Sequence, residues 1–165
     1  MGAERGLVKR CGEAARTPTA NRSLVDSNRV FLGMPLMHNA TIFVFEKKAR
    51  WRPELQRRFE GRQVFVVAGS SIAALRESAL QLRAERRPAI AIFDLSTSLT
   101  QVLQFLDQAP EWGDCLPTVC IGNESHDLLE PTLRELGAVV FHRLPLEGHR
   151  LADECERLLN AQSLI

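Results

Sequence analysis

From residue 40 onward, five short and almost continuously apolar runs alternate with amphipathic stretches, and this alternation restricts the fold more than any other feature. The runs cover 40–46 (ATIFVFE), 62–69 (RQVFVVAG), 89–95 (AIAIFDL), 117–122 (PTVCIG) and 138–142 (AVVFH). They are rich in β-branched and aromatic residues and apolar at successive positions. That pattern predicts strands covered on both faces, as in a parallel sheet. Between them lie helical periods: Trp51, Leu55 and Phe59; Ile72, Leu75, Ala79 and Leu82; Leu99, Val102, Leu103 and Leu106; Leu129, Leu133 and Leu136; Leu151, Cys155 and Leu158. Turn signals stand at the joins: Gly61, Arg87-Pro88, Leu116-Pro117 and Gly137. Ser70 or Ser71 suits the N-cap of the second helix, and Asn123 or Ser125 that of the fourth. Crossovers this long between parallel strands are right-handed. The expected fold is α/β: a five-stranded, doubly wound parallel sheet in a three-layer (βα)5 sandwich. Sites in such sheets lie at the carboxyl ends of the strands.

The 165 residues suit one domain with a core of its own. A net charge of +1 excludes the chain-wide basic field of a nonspecific nucleic-acid binder. No apolar run reaches about 18 residues, so no membrane span is expected. Charges scattered through the first 33 residues leave no room for a signal peptide, which makes the cytoplasm the expected location. The four cysteines form no CxxC pair, and no metal site is expected from them. Residues 1–39 carry six basic residues (Arg5, Lys9, Arg10, Arg16, Arg22, Arg29) against three acidic ones (Glu4, Glu13, Asp26), without a hydrophobic period. They are expected to be a disordered basic extension, and Met34 and Met37 are alternative starts. The domain is expected over 40–160, with a tail over 161–165.

At the strand ends, residues 88–96 (PAIAIFDLS) and 137–146 (GAVVFHRLPL) resemble the receiver domain of bacterial response regulators in two-component signalling. The resemblance spans about residues 40–160. It makes Asp94 the phospho-acceptor position, Phe141 the switch aromatic and Pro145 the proline that follows a cis bond in that family. Gly137, Ala138 and Pro117 also match.

The departures point to a degenerate, or pseudo-, receiver. In the family, two acidic residues end the first strand and hold Mg²⁺; here they are Glu46 and Lys47. Mg²⁺ wants hard oxygen ligands, and an ammonium group supplies none. The family's Thr or Ser after the fourth strand is Gly122, and its phosphate-binding Lys is Leu144. The Met-Pro of the loop after the aspartate is replaced by Ser96-Thr97-Ser98. Losing one preorganised donor costs about 3 kcal/mol in well-studied sites. Losing three makes Asp94 a poor acceptor.

Three roles remain open for Asp94: an ion pair with Lys47, a cap on the loop and third helix, or a working phosphorylation site. Without a hydroxyl at 122, Phe141 is expected to be static. His126, His142 and His149 make no metal site and are expected to be satisfied surface histidines. Arg50, Arg52, Arg57 and Arg58 form a basic face on the first helix, solvated or docking a partner. Trp51 and Trp112 are expected to anchor the flanks of the sheet, with Trp112 a candidate contact.

The expected function is that of a stand-alone atypical receiver: a phosphorylation-independent protein-interaction module, not an enzyme, with no cofactor (Mg²⁺ only if Asp94 is phosphorylated). The resemblance implies a partner face on the fourth helix, fifth strand and fifth helix, offering Leu128, Leu136, Val140, His142 and Arg143. The partner is a histidine kinase, an output protein or a second copy; neither nucleic acid nor membrane is expected. The alternatives are a phospho-accepting receiver using Asp94, and a flavodoxin-like cofactor binder. Against the latter, no GxGxxG or GxxxxGKS loop follows the first strand. The Gly69-Ser70-Ser71 turn is a weak anion cradle.

Overall fold

The computed structural model describes residues 39–108 and 116–162. β1 (Ala40–Phe45) leads to α1 (Trp51–Arg58), β2 (Val64–Ala68) to α2 (Ile72–Ala84), and β3 (Ala89–Asp94) to α3 (Leu99–Asp107). β4 (Thr118–Gly122) is followed by a 3₁₀ turn (Glu124–Leu129) and α4 (Glu130–Glu135), then β5 (Ala138–Arg143) and α5 (Gly148–Gln162). The strands pair in parallel in the order β2-β1-β3-β4-β5. This is the doubly wound sheet expected, with its switch point between β1 and β3.

The strands are apolar throughout because both faces are buried. Ile42, Val44, Ile90, Ile92, Val119 and Ile121 point to one core, closed by Trp51 and Leu55 of α1 and Leu151 and Leu159 of α5. Phe43, Ala91, Phe93 and Cys120 alternate to the other, closed by Leu75 of α2, Leu106 of α3 and Leu133 of α4. Each such side chain contributes about 1.5–3 kcal/mol by leaving water. Among the described residues, Cys120 and Cys155 are free, buried thiols on opposite faces of the sheet. Burial raises both of their pKa values to about 12.

The turns are made as the sequence suggests. Gly61 and Gly137 have φ of +75° and +106°, which a side chain would strain. Ser71 Oγ accepts the Ala74 N–H at 3.1 Å and caps α2.

Three details differ from expectation. In α3 the buried residues are Val102, Phe105 and Leu106, while Leu99 and Leu103 are only partly covered. Phe105 takes the central place because its ring packs 5.1 Å from that of Phe93. The fourth helix is a 3₁₀ turn plus six α-helical residues, of which only Leu133 is fully buried. Finally, α5 runs past 160, so no tail begins at 161. The Gln162 side chain donates to the Ala89 carbonyl at 2.9 Å and accepts the Ala89 N–H at 3.1 Å, tying the end of α5 to the start of β3.

The expectations for residues 1–38, for Trp112, and for Cys11 and Cys115 lie outside the described residues. Among the described residues, no helix is long and apolar enough to cross a membrane.

Candidate functional site

The Phe45–Phe93 rung brings the ends of β1 and β3 side by side, so Glu46 and Asp94 follow at matching positions. The two rings stack with centroids 4.7 Å apart and close the sheet beneath them. β4 and β5 complete the edge through the Gly122–Arg143 pair and the Leu144 N–H, which donates to the Gly122 carbonyl at 2.7 Å. The Leu144-Pro145 peptide bond is cis, as the resemblance implied.

Glu46 is committed to its own chain. Its Oε2 accepts the N–H groups of Arg50 and Trp51 at 2.8 and 2.7 Å, and its Oε1 accepts that of Arg52 at 3.1 Å. These are donors a helix start leaves unpaired, and an anion suits the positive end of the helix dipole. Lys47, the next residue, is exposed. Among the described residues it makes no ion pair with Asp94, so the Lys47–Asp94 pair is not formed. Asp94 Oδ1 instead accepts the Ser96 N–H at 2.9 Å and the Ser96 hydroxyl at 2.6 Å. Asp94 thus closes the β3–α3 loop, while Ser98 Oγ caps α3 by accepting the Gln101 N–H.

The receiver-like fold implies Mg²⁺ at this edge, and the donor set does not fit it. Both Glu46 oxygens face helix N–H groups, position 47 is an ammonium, and one Asp94 oxygen is held by Ser96. Among the described residues, no group of three or more His, Cys, Asp or Glu side chains converges as a metal site.

Gly122 shows why no side chain stands there. A Cβ on it would lie 2.9 Å from Phe141 Cε2 and 2.9 Å from the Cβ of His126. The Phe141 ring occupies the space a Thr or Ser would need, partly buried against the α2–α4 core. Leu144 packs instead toward the α1–α5 core.

The histidines have structural surroundings. His126 Nδ1 accepts the Asn123 N–H at 3.2 Å, and Asn123 Oδ1 accepts the Ser125 N–H at 3.0 Å, a reciprocal cap on the 3₁₀ turn. His142 is half-buried, and its Nε2 has no hydrogen-bond partner among the described residues, so it is not the satisfied surface histidine expected. Burial holds its pKa below the usual value, and the nearby Glu154 carboxylate works in the opposite direction.

The expected partner face also differs in detail. Leu128 is 91% exposed, but Val140 and Leu136 pack toward opposite cores. The exposed valine of β5 is its neighbour, Val139, at 45%. Arg143 is engaged: its guanidinium reaches Glu124 at 2.5 Å and Asp127 at 3.2 Å. The i, i+3 spacing of those two acids on one turn was the sequence signal for this clamp. On α1, Arg57 pairs with Glu54 and Arg58 with Asp153, while Arg50 stacks over the buried Trp51 at 4.3 Å.

No family model matches the sequence, and no curated protein matches it. Solved structures do share its fold. The receiver domain of the TMAO respiratory response regulator TorR superposes with a TM-score of 0.58 at 20% identity, covering 73% of this chain and 96% of that one. A response regulator from Thermotoga maritima gives 0.56 at 14%, covering 73% and 98%. A CheY-like receiver domain protein from Methanospirillum hungatei gives 0.57 at 10%, covering 78% and 100%. At these identities the likeness is one of architecture: the chain has the (βα)5 fold of receiver domains.

Proposed function

We propose that this protein is an atypical receiver of two-component signalling that works as a protein-interaction module without phosphorylation. The observation that carries this proposal is the Glu46 carboxylate, which is held by three N–H groups at the start of α1 where receivers place a metal ligand. Lys47 adds a positive charge beside it, and the Phe141 ring fills the place of the phosphate-binding hydroxyl. Phosphoryl transfer is catalysed by positioning and charge neutralisation, so Asp94 alone is a poor acceptor. With no chemistry to perform, the protein is not an enzyme and needs no cofactor. It acts in the cytoplasm by docking a protein (a kinase, an output protein or a second copy) on the α4–β5–α5 face, where Leu128 and Val139 are exposed.

One observation favours a second reading. Asp94 is partly exposed at the end of β3, the position of a phospho-acceptor. Intact-mass spectrometry after incubation with a small phosphodonor and Mg²⁺ separates the two. The folded protein is expected to gain no phosphate. An adduct that disappears in Asp94→Ala would make it a working receiver.

A further inference from the structure

Between the end of β1 and the first turn of α1, residues 46–52 carry four cations, Lys47, Lys48, Arg50 and Arg52, and one carboxylate, Glu46. Glu46 is committed to the three N–H groups at the start of α1. Among the described residues none of the four cations has a carboxylate partner, whereas Arg57, Arg58 and Arg62 further along the chain each have one. Two other acids near this end are also engaged: Glu54 pairs with Arg57, and Asp94 accepts from Ser96. Lys47, Lys48 and Arg50 are exposed, and Arg52 is half-buried with an Nε that has no acceptor among the described residues. Arg50 Cζ lies 4.3 Å over the Trp51 ring, which covers one face of the guanidinium and leaves its edge N–H groups available.

This placement works against stability. The start of a helix is its positive end, where cations are unfavourable. Four of them crowd the start of α1 and also repel one another. Glu46 offsets one charge, and no ion pair among the described residues offsets the rest. Residues that break a local rule of stability without internal compensation are characteristic of functional sites. The group that would relieve them is an anion from outside the domain.

The size and shape of the patch indicate which anion. From Lys47 to Arg52 the chain spans at most about 17 Å, the length of a few carboxylates in sequence. A nucleic-acid surface needs a longer basic track, and the net charge of the whole chain is only +1. A guanidinium laid flat on a ring with its edge free takes a planar carboxylate through two parallel hydrogen bonds.

We propose that Lys47, Lys48, Arg50 and Arg52 form a docking surface for an acidic segment of a partner protein, a short run of Asp or Glu side chains. This surface is separate from the α4–β5–α5 face, and it does not depend on whether Asp94 accepts phosphate.

Fluorescence anisotropy on the full chain tests it, with a fluorescein-labelled peptide holding a run of four glutamates between Gly-Ser flanks. Binding is expected at low salt, and none by the same peptide with glutamine in place of glutamate. The triple variant Lys47→Gln, Lys48→Gln, Arg50→Gln should bind about tenfold more weakly, since three charge pairs are lost. The control variant Arg57→Gln, Arg58→Gln, Arg150→Gln changes the net charge equally and should bind as the wild type does. No binding by the wild type, or an equal loss in both variants, would overturn the proposal. Tighter binding of a mixed-sequence DNA duplex than of the peptide would assign the patch to nucleic acid and overturn it as well. A second measurement reads the melting temperature of Lys47→Gln, Lys48→Gln, which is expected to rise by about 2–5 °C as the positive end of α1 is relieved. An unchanged or lower melting temperature would show that the lysines stand there at no cost and overturn the proposal.

Discussion

The carboxylate of Glu46 accepts the backbone N–H of Trp51 at 2.7 Å, and through it the end of β1 caps the start of α1. Trp51 is 2% exposed and packs in the α1–α5 core, so the cap fixes a core residue as well as a helix end.

Glu46→Ala is therefore expected to destabilise the protein by about 1–2 kcal/mol, the range for loss of a helix N-terminal cap. Glu46→Gln should lose less, since an amide oxygen can still accept. Urea denaturation measures both. The loss should be the same with Mg²⁺ and with a chelator, because the carboxylate holds amides and not a cation. Stabilisation by Mg²⁺ in the wild type that is absent from Glu46→Ala would contradict this.

Gly122→Thr should cost about 1–3 kcal/mol, the usual range for overpacking. The new Cβ would stand 2.9 Å from both Phe141 Cε2 and His126 Cβ. In a Phe141→Ala background the same substitution should cost clearly less, with a coupling of at least about 0.5 kcal/mol in the double-mutant cycle. Additive costs would mean that the ring does not set the limit at 122.

Arg143→Ala should have a small effect on stability despite its two short contacts. Arg143, Glu124 and Asp127 are all well exposed, and such pairs contribute about 0–1 kcal/mol and are screened by salt. The difference from wild type should shrink further in 0.5 M salt, about where the screening length falls to a few ångströms. A larger, salt-insensitive loss would show that the clamp orders the whole 3₁₀ turn.

His142 makes stability depend on pH in a definite direction. Its folded pKa lies below the ordinary value near 6.5, first because of burial. The unfolded chain then binds the proton more readily, so stability is full above about pH 6.5 and declines as pH falls toward the folded pKa. His142→Leu should flatten that part of the profile. Glu154, whose carboxyl is lowered first by its hydrogen bond from Arg157, acts at lower pH: its contribution is present above the ordinary value near 4.5 and lost as pH falls through the folded pKa. Stability measured from pH 8 down to about pH 2.5 in wild type and His142→Leu separates the two windows.

The apolar runs and helical stripes were enough to place five strands and the helices that cover them. In a parallel sheet the strand interior is apolar on both faces, and that composition is local. Gly61 and Gly137 marked their turns for an equally local reason, a backbone angle. The unusual residues Lys47, Gly122 and Leu144 were legible as departures because their places follow from the ends of strands. Where their side chains go was not legible. Of the roles left open for Asp94, the ion pair with Lys47 is not formed, and Oδ1 instead accepts from Ser96, two residues along the loop. Val140 was expected on the surface, and the pleat turned Val139 outward instead.

By itself, then, the sequence determined the order of elements and which residues are apolar enough to be buried, since both follow from periodicity along the chain. Only the tertiary structure decided that Glu46 caps α1, that Phe141 fills the space over Gly122, and that α2 leaves Phe65 and Val67 uncovered. Each depends on the distance and direction between side chains brought together by packing, which no local pattern encodes.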